Sequence, residues 1–215
     1  KAALLGNSAI NTNGNNEIEC AEATAYTGAI NVNNITISNL KGIEAFVNIT
    51  SFSGNNIQVG YGSPTPIDTL DLNNFTSLTS VSFTGNVGLK YLKLSGCTAL
   101  TNVDVSTGFA AGVGVNLNGC TALTSLNLNN KKLNALNVNG CTALTSLNCS
   151  NNLLTTLDVS SNTALTALDC SKNQLTSLNT FNQANLSTLN CSYNQLPYLI
   201  VSLNTGLTTL DCSHN

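Results

Sequence analysis

The stretch that decides the fold is CTALTSLNCSNNLLTTLDVSS, residues 141–161. With Leu144 taken as position 1, apolar residues stand at positions 1, 4 and 6 as Leu144, Leu147 and Cys149. They return at 11, 14 and 16 as Leu154, Leu157 and Val159, so the unit contains two nested halves. The leucine at position 1 recurs as Leu78, Leu100, Leu123, Leu144, Leu165, Leu186 and Leu207, in steps of 22, 23, 21, 21, 21 and 21 residues. Position 4 holds Val81, Val103, Leu126, Leu147, Leu168, Leu189 and Leu210, and position 6 holds Phe83, Val105, Leu128, Cys149, Cys170, Cys191 and Cys212. Position 9 is Asn86, Asn152, Asn173, Asn194 and Asn215, with Gly108 and Lys131 as exceptions. A fixed period of this length marks one supersecondary unit repeated and stacked. One such coil cannot bury its apolar edge alone, so its neighbours must cover it. The same short strand in successive coils then forms a parallel sheet at about 4.8 Å spacing.

Composition agrees. Of 215 residues 8% are charged and 42% hydrophobic, and all seven basic residues are lysines. Low charge with regular apolar spacing points to a packed core under an Asn, Ser and Thr surface rather than to disorder. A net charge of −3 without arginine supplies no basic footprint for nucleic acid. No apolar run reaches the length of a membrane span.

The cysteines divide into two columns. Cys149, Cys170, Cys191 and Cys212 replace core leucines at position 6, where a thiol packs as a small hydrophobe. A straight column spaced one coil apart cannot converge on a zinc ion. Disulfides between adjacent coils are nearer in reach, but parallel inward side chains favour free thiols. Cys97, Cys120 and Cys141 stand at position 19, where later coils have Asn162 and Asn204. These read as substituted rungs of a second asparagine ladder, which satisfies backbone groups at a turn.

The LxxLxCxxNxLxxLxVxxNTA pattern over roughly residues 67–215 resembles the leucine-rich repeat family, in its short bacterial class of 21-residue nested repeats. The resemblance implies a mainly β, right-handed solenoid with parallel sheets and a small helical N-terminal cap. The opening, with ITISNLKGIEAF at 35–46, is similar to the caps of secreted Bacteroidetes repeat proteins and to the first coil of internalin-like proteins. In that comparison the chain starts and stops inside longer elements, so further residues are expected beyond both ends. The expected divisions are a helical cap with its opening coil over 1–45, an irregular coil with an inserted loop over 46–77, and the repeat array over 78–215.

Within the cap, INTNGNNEIECAEA at 10–23 has the spacing of an EF-hand or dockerin calcium loop. Asn11, Asn13, Asn15, Glu17 and Glu22 would be its ligands, with Asn where Asp is usual and Asn16 where Gly is usual. The expectation is weak calcium binding or a plain Asn-rich turn; no other cofactor is indicated. Asp68-Thr69-Leu70 resembles a short Bacteroidetes O-glycosylation motif on Thr69.

Catalytic groups are sparse. His214 is the single histidine, and Asp169 and Asp211 at position 5 have no cleft or partner around them in the sequence. The exposed strand face is more informative. Positions 5 and 7 are monotonous Asn/Asp and Asn/Ser, whereas position 8 runs Asn130, Asn151, Lys172, Tyr193, His214. A recognition surface on a repeat scaffold varies in this way, so Lys172, Tyr193 and His214 are the candidate binding face. The functional expectation is a non-enzymatic binding or adhesion module, extracellular or at the cell surface, with a protein or glycan ligand. The alternative is a subunit that self-associates into a fibre. Threonine columns at 124, 145, 166 and 208, and at 121, 142, 163 and 205, leave ice binding as a lesser alternative.

Overall fold

The computed structural model describes residues 2–15, 17–37, 40–59, 68–85, 89–105 and 112–215. Two short helices, α1 (Ala2–Leu5) and α2 (Cys20–Ala25), lead into a solenoid whose strands, among the described residues, pair in parallel. One strand column comprises β1 (Ala29–Asn31), β3 (Ser51–Ser53), β6 (Ser80–Ser82) and β8 (Asn102–Asp104). It resumes as β10 (Ser125–Asn127), β12 (Ser146–Asn148), β13 (Ala167–Asp169), β14 (Thr188–Asn190) and β15 (Thr209–Asp211). The second column is β5 (Thr69–Asp71), β7 (Tyr91–Lys93), β9 (Val113–Asn116) and β11 (Leu133–Asn137); β2 (Thr36–Ile37) pairs with β4 (Gln58–Val59).

Register follows the leucines. Leu126, Leu147, Leu168, Leu189 and Leu210 are mutual partners along one column, and Leu70, Leu92, Val115 and Leu136 along the other. Side chains alternate across a strand. Position 4 therefore enters the core while 3 and 5 face outward, and Leu147 is 1% exposed between half-buried Ser146 and Asn148. Burying a leucine contributes about 1.5–3 kcal/mol, repeated at Leu126, Leu147, Leu168 and Leu189, whereas Leu210 of the last coil is exposed. The first column is bonded as two sheets, interrupted between β8 and β10. That is the 23-residue step of the repeat, and its residues 106–111 lie outside those described.

The repeat begins earlier than the leucine spacing suggested. Ile30, Phe52, Val81 and Val103 share one register, so β3 and β5 place the expected irregular coil of 46–77 in line with the array. Most of its inserted loop, residues 60–67, and the position-9 residues Asn86 and Gly108 lie outside the described residues.

Candidate functional site

The polar columns hold the coils together. Asn173 donates its amide to Cys149 O and Cys170 O, both at 3.0 Å, and its Oδ1 accepts Leu154 N–H. Asn152, Asn194 and Asn215 make the corresponding bonds. The threonine column is likewise internal in its bonding. Thr145, Thr166 and Thr208 donate their hydroxyls to the carbonyls of Thr124, Thr145 and Ser187 one coil back.

Positions 5 and 7 are not the open face that their composition suggested. Asp169 Oδ1 accepts both the N–H of Ser171 at 3.0 Å and its hydroxyl at 2.7 Å, and Ser171 is 6% exposed. The same turn recurs at Asn148–Ser150, Asn190–Ser192 and Asp211–Ser213. A carboxylate or amide oxygen that closes the turn after the strand is a structural fitting. In Asp211 the two bonds from Ser213 hold the carboxyl below its usual range.

Position 8 is a corner, not a strand residue. Asn130, Asn151, Lys172, Tyr193 and His214 have φ of 57°, 54°, 54°, 55° and 55°, as do Asn34 and Asn56 in earlier coils at 53° and 52°. Gly85 takes the place at 69°. Asn and Gly suit this left-handed region; Lys, Tyr and His do not. Identical backbone turns one coil apart bring the side chains into a stack. The amides of Asn56 and Asn151 bond to those of Asn34 and Asn130. In the last coils Tyr193 and His214 stack with ring centroids 4.2 Å apart and planes 18° apart, and Lys172 Nζ lies 5.8 Å from the Tyr193 ring. All three are exposed. The candidate binding residues are therefore one contiguous column.

The thiol columns are free and mostly buried. Burial pushes Cys149 up to about 12 and Cys191 up to about 11, and raises Cys170 as well. Cys212 departs from the expectation for its column: it is exposed, in the last coil described. At position 19 the thiols of Cys97, Cys120 and Cys141 donate to Leu72 O, Leu94 O and Leu117 O at 3.1–3.2 Å. Asn162, Gln183 and Asn204 continue that ladder to Val138 O, Val159 O and Thr180 O. Burial pushes the Cys97 thiol up to about 11.

The cap loop is closed by its own donors. Glu22 Oε1 accepts from Thr12 N, Thr12 Oγ1 and Asn13 N, and Oε2 from Glu19 N, where Glu19 and Glu22 form a capping box at the start of α2. Hydrogen bonding with Glu19, then with Thr12, holds the Glu22 carboxyl down to about 2. Asn13 and Asn15 both donate to the Glu19 carboxylate, and their own Oδ1 atoms accept Asn15 N–H and Glu17 N–H. Asn11 turns inward and donates to Leu5 O and Asn15 O. Of the five residues spaced as calcium ligands, Asn13, Asn15 and Glu22 converge around Glu19. Among the described residues no group of three or more His, Cys, Asp or Glu side chains is placed to hold a metal ion. Thr69 lies half-exposed on β5, and its hydroxyl donates to Asp68 at 3.1 Å.

Sequence reasoning missed a second surface. On the outer side of the second half-unit, Phe181, Tyr198 and Ile200 are 64%, 70% and 64% exposed beside a groove of about 230 Å³. The signal was available. Phe181 replaces the serine of Ser160 and Ser202 in its column, and Tyr198 replaces Thr156 and Ser177 in its own.

Among solved structures, the functional domain of InlJ from Listeria monocytogenes, described as including a cysteine ladder, is 30% identical with a TM-score of 0.58. The alignment covers 92% of this chain and 42% of that one, so the chain spans less than half of that relative. An internalin (inlF) from Listeria monocytogenes aligns over 98% of this chain and 86% of its own at 18% identity and a TM-score of 0.35. A leucine-rich-repeat protein of Leptospira interrogans aligns over 83% and 64% at 16% identity and 0.38. No curated protein matches. The family profile of the leucine-rich-repeat domain of the endo-β-N-acetylglucosaminidase EndoS matches residues 17–152, well over half of the chain. The chain belongs to that leucine-rich-repeat family.

Proposed function

We propose that this solenoid is a non-catalytic binding module of a surface or secreted protein, and that it recognises a protein or glycan surface through its position-8 corner. The observation that carries the reading is the Lys172–Tyr193–His214 column, held at φ of 54–55° where neighbouring coils have Asn. A side chain other than Gly or Asn costs about 1–2 kcal/mol in the left-handed region. Three such residues cost more than their mutual contacts return, since an aromatic stack is worth about 0.5–1.5 kcal/mol and an exposed cation–π contact about 0.5–1 kcal/mol. Backbone strain gathers where ligands are clamped, and a recognition role accounts for residues that the fold alone would not select. Likeness to InlJ supports the same class of function by fold analogy. Among the described residues no helix is long and apolar enough to cross a membrane.

The test is a panel of immobilised extracellular proteins and glycans probed with the parent chain, Tyr193→Asn and Ser171→Ala. At least one ligand held by the parent should bind Tyr193→Asn at least tenfold more weakly and Ser171→Ala equally well. If every ligand bound all three alike, the assignment to this corner would be overturned.

A further inference from the structure

A second exposed surface lies on the opposite half-unit, apart from the position-8 corner. Its groove runs between the coils of Leu178 and Leu199 and has Phe181, Tyr198, Ile200 and Leu203 along its sides. Tyr198 and Ile200 stand in columns that are exposed in earlier coils as well. The column of Tyr198 is exposed in every coil from Ala135 through Thr156 to Ser177, and that of Ile200 at Asp158 and Asn179. What changes is chemistry, from small polar groups to two aromatic rings and an isoleucine.

The rest of the lining is uncharged. Ser177, Asn179 and Ser202 stand exposed at the rim, and the Asn179 Oδ1 is already fixed by Phe181 N–H at 2.9 Å. That bond leaves the two N–H donors of its amide directed elsewhere. The floor is rigid, because Thr180 Oγ1 donates to Asn204 Oδ1 at 2.8 Å and Asn204 donates to Thr180 O and Gln183 O.

We infer that this groove is a subsite for a neutral carbohydrate. Sugar rings present C–H faces that pack on aromatic and branched side chains, and hydroxyls that pair with amides and serines. No cation or anion lines the groove, so it offers nothing to a sialylated, uronic or phosphorylated ligand. Ser177, Asn179, Thr180, Ser202 and Asn204 share the lining with the apolar and aromatic side chains, so half of its residues are polar, whereas a protein hot spot wants a contiguous, fully desolvated apolar centre. A volume of about 230 Å³ is smaller than a whole drug-sized pocket, as suits one or two rings of a longer chain crossing the surface.

The experiment titrates the full chain with cellohexaose, mannohexaose, chitohexaose and a sialylated oligosaccharide, followed by saturation-transfer NMR and calorimetry. At least one neutral hexamer should bind, and the sialylated one should add nothing. Phe181→Ser and Tyr198→Ser restore the residue types of neighbouring coils, so they should melt like the parent while weakening binding at least tenfold. Tyr193→Asn should bind the hexamer as the parent does. Failure of every neutral hexamer to bind, survival of binding in the double ring variant, or loss of it in Tyr193→Asn would overturn the site. So would capture of an apolar peptide probe by the same two rings in place of sugar.

Discussion

Asn204 Oδ1 accepts the hydroxyl proton of Thr180 at 2.8 Å, and that pairing completes a buried rung that the coils before it leave incomplete. Asn162 and Gln183 donate their amide N–H groups in the same ladder, but their oxygens are buried without a partner. The residues in Thr180's place are Val138 and Val159. A thiol avoids the difficulty. Cys97, Cys120 and Cys141 donate to the equivalent carbonyls and bring no amide oxygen into the core. Cysteine at position 19 is thus a rung suited to coils whose position 16 is aliphatic.

From this, Val138→Thr should supply the missing donor to Asn162 and stabilise the chain by about 1 kcal/mol, a typical net hydrogen bond. Thr180→Val should destabilise by about 1–3 kcal/mol, because it orphans the Asn204 oxygen. Urea midpoints moving in these opposite directions would support the ladder; a neutral pair would refute it.

The position-9 rungs should be costlier to remove. Asn173→Ala takes one of two asparagine amides from each of the Cys149 and Cys170 carbonyls, which keep those of Asn152 and Asn194, and leaves the Leu154 N–H without its acceptor. A loss of about 2–6 kcal/mol is expected, about 1–3 kcal/mol for the orphaned N–H and about 0.5–1.5 kcal/mol for each lost bond, read by denaturant unfolding with hydrogen exchange at Leu154.

Alkaline stability follows from three buried thiols. The folded values of Cys97, Cys149 and Cys191, near 11 to 12, stand above the ordinary thiol value of about 8.5. The folded state therefore holds protons that the unfolded chain releases. Stability is complete below about pH 8.5 and is lost as pH rises through 11 to 12. Cys149→Val should flatten part of that decline. In native alkylation at pH 8, Cys20 and Cys212 should react at once and the other six only on unfolding.

Acid should open the cap first. Glu22 is depressed to about 2, so its contribution is present above its unfolded value of about 4.3 and lost as pH falls toward 2. Hydrogen exchange over residues 10–25 should quicken across that range, and Glu22→Gln should remove the pH dependence. A cap equally protected at pH 2.5 and 6 would contradict the arrangement.

The repeat was legible because leucine spacing is imposed by burial: Leu126, Leu147 and Leu168 could face only inward. Cys97 as a substituted asparagine rung was legible for the same reason, since its column holds Asn162 and Asn204. Gln183 was not seen as a rung, because its longer side chain breaks the residue identity that the alignment follows while keeping the amide. Ser171 looked like surface by composition; its burial depends on a turn closed by Asp169, which spacing does not express. The left-handed backbone of Lys172 was equally hidden, although Asn130 and Asn151 in the same column pointed toward it. Ile30 escaped because the first coils replace leucine with isoleucine and phenylalanine.

On the proposed function, Lys172, Tyr193 and His214 are kept at a corner built for asparagine because they recognise a ligand. The most direct measurement pairs urea unfolding with ligand binding for Lys172→Asn/Tyr193→Asn/His214→Asn. This variant should be at least as stable as the parent, because relief at three left-handed residues outweighs about 1–2.5 kcal/mol of lost stacking and cation–π contact, and binding at the corner should be lost. A variant clearly less stable than the parent, with binding intact, would contradict that proposal.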